Sequence, residues 1–494
     1  MSNLAKLIES AARAVPDSLF GTIENPLTLS DSVQKAAQLA AHMDKKGYKV
    51  GSLWAVIGNN STEYMLTWMA AQFAGVQLAL LNPDYPDELI ISMLDDLQPQ
   101  AIVWLDRTSF DWSNGTAIQI NLREWWDEQP TEIAQEAKIN IRTLPGMKCD
   151  SDSISAYIHT SGTTGRPKLC ALSHDYFLRL GRFFADSMCL GKDDKVFAPL
   201  SMYHINPLGY GLIGSLTAKA SILSTRKFSA SKFWIQVKEN NFSALILHPS
   251  ISIILATASS PEDVKNHNVR ISFAAETLLC GLFNIPVGVC GFGSTESAGL
   301  SHSWHFRAGD MPMCPEGISN YAGRARYDVD WKIDEESGEI LVQNKGKGQA
   351  ILSGYIRNGL VQSALDENGW FHTGDRGRKD KYGNLVFIER LSEAIRVKGE
   401  YVPIDFVESK LTRCRSLAPF ALWRKDNEST GHEVQIYTES TAVDLDEVRT
   451  VIKNLPRFMQ PLKIVRIKQL PRVGANKVAR HKLFDLPELD VISL

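Results

Sequence analysis

Apolar residues at Val33, Ala36, Ala37, Leu39 and Ala40 recur at the spacing of one helix face. Ser30 precedes them and is the expected N-cap, because a hydroxyl there satisfies an otherwise orphaned backbone N–H. Leu53 to Ile57 is a short apolar run that stops at Gly58-Asn59-Asn60, the pattern of a buried strand and a turn. Thr62 to Ala74 returns to helical spacing, and Val76 to Leu81 is strand-like. The buried-strand pattern repeats at Lys195 to Pro199, Ser221 to Ser224 and Ala244 to Leu247, with helical segments between. Such alternation predicts parallel strands joined by right-handed crossovers, hence an α/β fold. Asp380 to Ile388 reads as a hairpin turning at Tyr382-Gly383-Asn384. The texture changes just after it, and the remaining residues carry their own alternation and end in a basic tail (Arg472, Lys477, Arg480, Lys482). Residues 1–390 are therefore expected to form a large α/β domain and 391–494 a small, mobile α+β one.

A chain of 494 residues exceeds one ordinary core, which agrees with two domains. Net charge is −3, so no strong electrostatic pull toward nucleic acid or an anionic membrane is implied. Seven scattered cysteines include no C-x-x-C pair. That argues against a disulfide framework and a structural zinc, and fits a reduced, cytoplasmic setting. Lys6, Glu9, Arg13 and Asp17 interrupt the first residues, so no signal peptide is expected. No apolar run is long enough to span a bilayer, and the richest, Ser243 to Ala258, breaks at His248-Pro249-Ser250 and reads as strand, turn and helix. His302 and His305 are spaced H-x-x-H without a third ligand, and a surface loop is expected there in place of a metal site.

The richest chemistry lies in residues 157–168, Tyr-Ile-His-Thr-Ser-Gly-Thr-Thr-Gly-Arg-Pro-Lys. Glycines let backbone amides approach an anion, hydroxyls add donors, and Arg166 and Lys168 add charge. A triphosphate requires this combination, and Ile154 to Ile158 supplies a preceding strand. The spacing is not that of a Walker P-loop: after Gly162 its second glycine would fall at Pro167 and its hydroxyl at Leu169.

This loop resembles that of the adenylate-forming superfamily of acyl-CoA synthetases, adenylation domains and luciferases. The resemblance extends in order along the chain. Gly291-Phe292-Gly293-Ser294-Thr295-Glu296 is similar to the family's aromatic-Gly-x-Thr-Glu motif. It implies that Phe292 lies against adenine, Thr295 bonds the α-phosphate and Glu296 holds Mg²⁺. Trp370 to Asp375 resembles the next motif, whose aspartate accepts the ribose hydroxyls, and Arg390 the arginine that opens the hinge. Pro471 to Lys477 resembles the terminal motif, whose lysine contacts the substrate carboxylate and α-phosphate. Thr160, Ser161, Gly162, Thr163, Thr164, Gly165 and Lys168 are the implied phosphate-binding residues. His204 resembles the histidine flanking the acid pocket, with Asn206, Ala275 and Glu276 as further pocket residues. Ser392 falls at the hinge, where relatives have Asp or Lys, and Gly399 on the acceptor side. The chain also departs from the family at Leu169, at Ala274-Ala275-Glu276 and at Asn476, which bears on specificity more than on reaction type.

The implied reaction uses ATP and Mg²⁺ to turn a small-molecule carboxylic acid into an acyl-adenylate, then passes the acyl group to a thiol, with coenzyme A the foremost acceptor. Two other readings stay open: an enzyme that loads a carrier protein or an amine or activates another oxyanion, and a non-catalytic nucleotide-binding relative. The run Tyr203-His204-Ile205-Asn206 offers no carboxylate to pair with an ammonium, which disfavours an α-amino acid. The acid itself and the oligomeric state are not encoded in any motif.

Overall fold

Residues 1–83, 91–159 and 169–389 form one compact unit of the chain, and residues 84–90, 160–168 and 390–494 form another. The computed structural model describes residues 2–105, 112, 117–122, 124, 139–160, 167–274, 277–307, 321–390, 395–427, 429–473, 477–478 and 480–494.

Leu53–Ile57 is an interior strand of the first sheet of the larger unit. It lies parallel to Gln77–Leu81 on one side and Ala101–Trp104 on the other. Ile154–Thr160 follows Gln77–Leu81 in parallel, and Lys168–Ser173 and Gly354–Arg357 come next in order. All five residues of Leu53–Ile57 are buried, as expected of a parallel strand covered on both faces. The connecting helix Thr62–Ala74 is apolar all round and buried along its length. Ser61 caps it by accepting from the Tyr64 N–H, and Gly75 ends it at a left-handed φ of 74°.

The second sheet starts from the parallel strands Ser221–Ser224, Lys195–Phe197, Ala244–Ile246, Ile271–Phe273 and Val287–Phe292. It then changes direction: His302–Arg307, Tyr321–Ala325 and Leu385–Arg390 pair antiparallel in succession, followed by Phe371–Lys379, Glu339–Asn344 and Val329–Ile333. Its other edge is the hairpin Leu19–Thr22/Asn25–Thr28, with Pro26 opposite Gly21 on the outermost strand. Phe197 fills the core behind this sheet, stacked on Phe242 at 4.6 Å and tilted against Phe233 at 5.8 Å.

Two sequence expectations change. The first helix expected from Ser30 spans Leu29–Lys45, and its cap is Thr28, whose hydroxyl accepts from the Asp31 N–H; Ser30 sits inside the first turn. The His302/His305 pair lies on a strand and not in a surface loop. Successive strand residues face opposite sides, so residues three apart diverge. His302 is fully buried, bonded to Ser301 Oγ and edge-on to Trp331 at 4.6 Å. Burial pushes its imidazole down to about 3, so it stays neutral. His305 Nε2 donates to the Ser187 carbonyl instead. No group of three metal-binding side chains occurs among the described residues, and none of their helices is long and apolar enough to cross a membrane.

In the smaller unit, Gly431–Thr438 pairs with Phe420–Asn427, Ile395–Val397 and Lys463–Arg466, and Asp490–Ser493 closes one edge. Helices Ile404–Leu411 and Leu445–Lys453 accompany this sheet. Ile395–Val397 and Glu400–Val402 form a hairpin turned by Lys398 and Gly399, at φ 54° and 87°. A two-residue turn with both φ positive matches the twist of its strands, which explains the glycine.

Phe197→Ala is expected to destabilise the larger unit by about 3–5 kcal/mol, the usual cost of emptying an aromatic core site. Urea unfolding followed by tryptophan fluorescence checks it; a midpoint equal to wild type would show that the stacked pair contributes nothing.

Candidate active site

The strand Val287–Phe292 ends where the sheet changes direction, and the residues after it make a tight reversal. Gly293 is required there: a Cβ on it would sit 2.1 Å from the Gly299 carbonyl oxygen. Ser294 and Ser297 clasp each other, with the Ser294 N–H donating to Ser297 Oγ at 2.9 Å and the Ser297 N–H to Ser294 Oγ at 3.1 Å. Ala298 and Gly299 both take φ 69°, and the Gly299 N–H closes onto the Ser294 carbonyl. Thr295 and Glu296 ride on this clasp, Thr295 buried and Glu296 partly exposed.

Glu296 also ties the second sheet to the first. Its backbone carbonyl accepts from the Leu352 N–H at 3.1 Å, and the Tyr355 hydroxyl lies 3.4 Å from its Oε1. Tyr355 belongs to Gly354–Arg357, and it pairs with Cys170, two residues past Lys168. Lys168–Ser173 is the neighbour of Ile154–Thr160 in the sheet. Thr160 and Lys168 therefore stand at the ends of adjoining strands; Ser161, Gly162, Thr163, Thr164 and Gly165 lie outside the described residues. Burial and the neighbouring Glu296 carboxylate raise the Tyr355 phenol, so it remains a donor at neutral pH.

Phe292 stacks on Phe387 at 5.9 Å with 28° between the rings. This contact spans the strands that separate them and brings the aromatic residue to Leu385–Arg390. Asp375, buried, lies on the adjoining strand Phe371–Lys379. The backbone beside it is held by Glu339, whose Oε1 accepts from the Gly374 N–H at 2.7 Å. The other oxygen of Glu339 meets His372 Nδ1 at 2.8 Å, and Asp366 lies 3.5 Å from Nε2. The hydrogen bond to Glu339 raises the His372 imidazole above its ordinary value.

His204 packs near the end of Ile154–Thr160. Its ring lies 4.7 Å from Tyr203 and 5.5 Å from His159, the residue before Thr160. Asn206 opens the π-helical segment Asn206–Ile213 and spends its amide N–H on the Leu247 carbonyl at 2.8 Å. Ala275, Glu276 and Ser392 lie outside the described residues, and the side chain of Arg390 is likewise not described. Gly399 occupies its hairpin turn, and Lys477 lies on the short strand Lys477–Val478 opposite Val473.

Tyr355, Glu339 and His159 were not singled out by sequence. His159 is the sole one with a local signal, adjoining the glycine- and threonine-rich run; the other two are placed by strand pairing. For a divalent cation, a single hard carboxylate at Glu296 suits Mg²⁺, which is held by one or two carboxylates together with substrate phosphates.

The turn presents a hydroxyl and a carboxylate and is tied through Leu352 and Tyr355 to the first sheet. The AMP-binding enzyme family model matches residues 8–356, and the chain belongs to that family. Among curated relatives, oxalate–CoA ligase of Arabidopsis thaliana is 24% identical over 97% of both chains. 4-Coumarate–CoA ligase CCL1 of Humulus lupulus is 22% identical over 95% of this chain and 90% of that one. Sulfoacetate–CoA ligase of Cupriavidus necator is 27% identical over 77% and 78%. In fold, the chain is similar to o-succinylbenzoate CoA synthetase from Bacillus subtilis bound with a product analogue (TM-score 0.80, 20% identity, 100% and 99% covered).

The raised His372 pKa has a definite sign: stability from its pairing with Glu339 is full below pH 6.5 and fades as pH rises through the raised value. His372→Gln should cost at most about 1 kcal/mol at low pH, because the ring is half exposed, and nothing at high pH. Melting of both proteins from pH 5.5 to 9 reads this out; a constant gap between the curves contradicts the assignment.

Proposed function

We propose that this chain is an ATP-dependent, AMP-forming ligase that activates a carboxylic acid as its acyl-adenylate and transfers the acyl group to coenzyme A. The observation that carries the reading is the Thr295–Glu296 turn, fastened through Leu352 and Tyr355 to the sheet that bears Thr160 and Lys168. The similarity to 4-coumarate–CoA, oxalate–CoA and sulfoacetate–CoA ligases supports coenzyme A as the acceptor.

A carboxylate is a poor acyl donor because oxide would have to leave. Attack of its oxygen on the α-phosphorus of ATP expels pyrophosphate and makes AMP the leaving group. That step requires in-line positioning and stabilisation of growing negative charge rather than covalent help from the protein. Thr160, Lys168 and the residues between them bind the triphosphate. Thr295 donates to the α-phosphate, Glu296 would hold Mg²⁺, whose charge would offset that of the phosphates, and Phe292 and Asp375 fix adenine and ribose. His204 borders the acid, and Lys477 bridges the acid carboxylate and the α-phosphate. In the second half-reaction the thiol sulfur attacks the acyl carbon and AMP departs. The small domain, residues 391–494, turns about Ser392 between these steps, which exchanges Lys477 for the Gly399 hairpin. With no carboxylate at Tyr203 to Asn206 to pair with an ammonium, an α-amino acid is disfavoured as the substrate.

Pyrophosphate release over a panel of aliphatic, aryl, cationic and α-amino acids tests the activity, with CoA and a carrier protein as alternative acceptors. Silence with every acid, in a protein that binds ATP, would favour a non-catalytic relative. Lys477→Ala should lower adenylation by roughly 10²–10³, as for loss of one charge-stabilising donor, while thioester formation from a supplied adenylate is largely spared. Equal loss in both half-reactions would refute that division of labour.

A further inference from the structure

The reversal that carries Thr295 and Glu296 is braced from behind by a buried ion pair with no place in the reaction itself. Arg326 is among the largest fully buried side chains in the molecule. Its Nε and Nη2 donate to the two carboxylate oxygens of Asp328, each at 2.9 Å. The remaining nitrogen, Nη1, donates to the Ala298 carbonyl at 2.7 Å. Ala298 is the strained point of the reversal, a non-glycine residue at φ 69°. The guanidinium plane also lies over the Phe183 ring at 5.0 Å. Arg179 Nη1 also approaches Asp328, 3.6 Å from its Oδ2. The Arg326 N–H donates to the Ser301 carbonyl, so main chain and side chain of one residue hold both ends of the left-handed segment. A second brace arrives from the helix His174–Ser187, where the buried Tyr176 hydroxyl donates to the Thr295 carbonyl at 2.9 Å.

We propose that Arg326, oriented by Asp328, is a positioning residue for nucleotide activation: its fork fixes the left-handed turn at Ala298 and thereby aims the Glu296 carboxylate at the phosphate-bound Mg²⁺. This rests on the reading of Glu296 given above. The geometry separates the function from mere stability. A buried ion pair replaced by apolar groups is often neutral for folding. An alanine at positive φ, by contrast, requires an outside hold that a glycine does not. Lysine keeps the charge but not the planar fork, so it cannot serve both Asp328 oxygens and the Ala298 carbonyl.

The test measures the affinity of the full chain for α,β-methylene-ATP with Mg²⁺ and with EDTA, so that the gain due to the metal is isolated without any acid. Folding of every variant is checked by circular dichroism and melting. Arg326→Lys and the double variant Arg326→Leu/Asp328→Leu should each cut the Mg²⁺-dependent gain about tenfold, the usual scale for loss of an outer support to a metal ligand. Affinity in EDTA should change far less. Ala298→Gly added to either variant should return most of the gain, because glycine holds the left-handed turn unaided. Folded Arg326→Lys with an undiminished gain overturns the proposal, as does a loss that Ala298→Gly leaves untouched. Should the double variant fail to fold, Arg326→Lys and its glycine partner decide the matter. A wild-type protein that binds the analogue equally with Mg²⁺ and with EDTA overturns the role of Glu296, and the brace with it.

Discussion

The nine residues from Phe292 to Leu300 are the constraint on which the rest of the site depends. They leave one sheet, reverse through two left-handed positions and present a carboxylate beside a strand of the other sheet. Three of their carbonyls accept from three different elements: Thr295 from a helix, Glu296 from the segment before Tyr355, and Ala298 from Arg326. A buried carbonyl left without a donor costs about 1–3 kcal/mol, so none of these elements can drift without penalty. The turn is thus held by the packing of the larger unit as well as by its own Ser294–Ser297 clasp.

Much of the fold was legible because periodicity and burial agree. Leu53–Ile57, Thr62–Ala74 and Ser221–Ser224 occupy the spans that their apolar patterns mark. The cap of Leu29–Lys45 was placed two residues late because Thr28 and Ser30 offer the same hydroxyl and the apolar face begins after both. The H-x-x-H pair misled for a related reason: two polar residues among Ser and Trp look like a loop until neighbouring strands supply partners for them.

In the candidate site, a motif of consecutive residues stands out in the sequence, as with Thr295-Glu296 and the glycines around them. What could not be read is support delivered across long sequence distance. Tyr355 reaches Glu296 from 59 residues away and Arg326 reaches Ala298 from 28. Neither position stands out in the sequence, since a lone tyrosine or arginine has no pattern to reveal what it touches. Family membership follows from the motifs, whereas the fit of this particular chain follows from such distant contacts.

The outermost strand of the long sheet carries Pro26 opposite Gly21. Proline has no amide hydrogen, so this rim cannot offer a full ladder to an incoming extended chain. The large unit therefore ends its widest sheet on a border that resists growth. A protein rich in buried, strongly sheet-forming segments gains from that border a safeguard against edge-to-edge association while it folds.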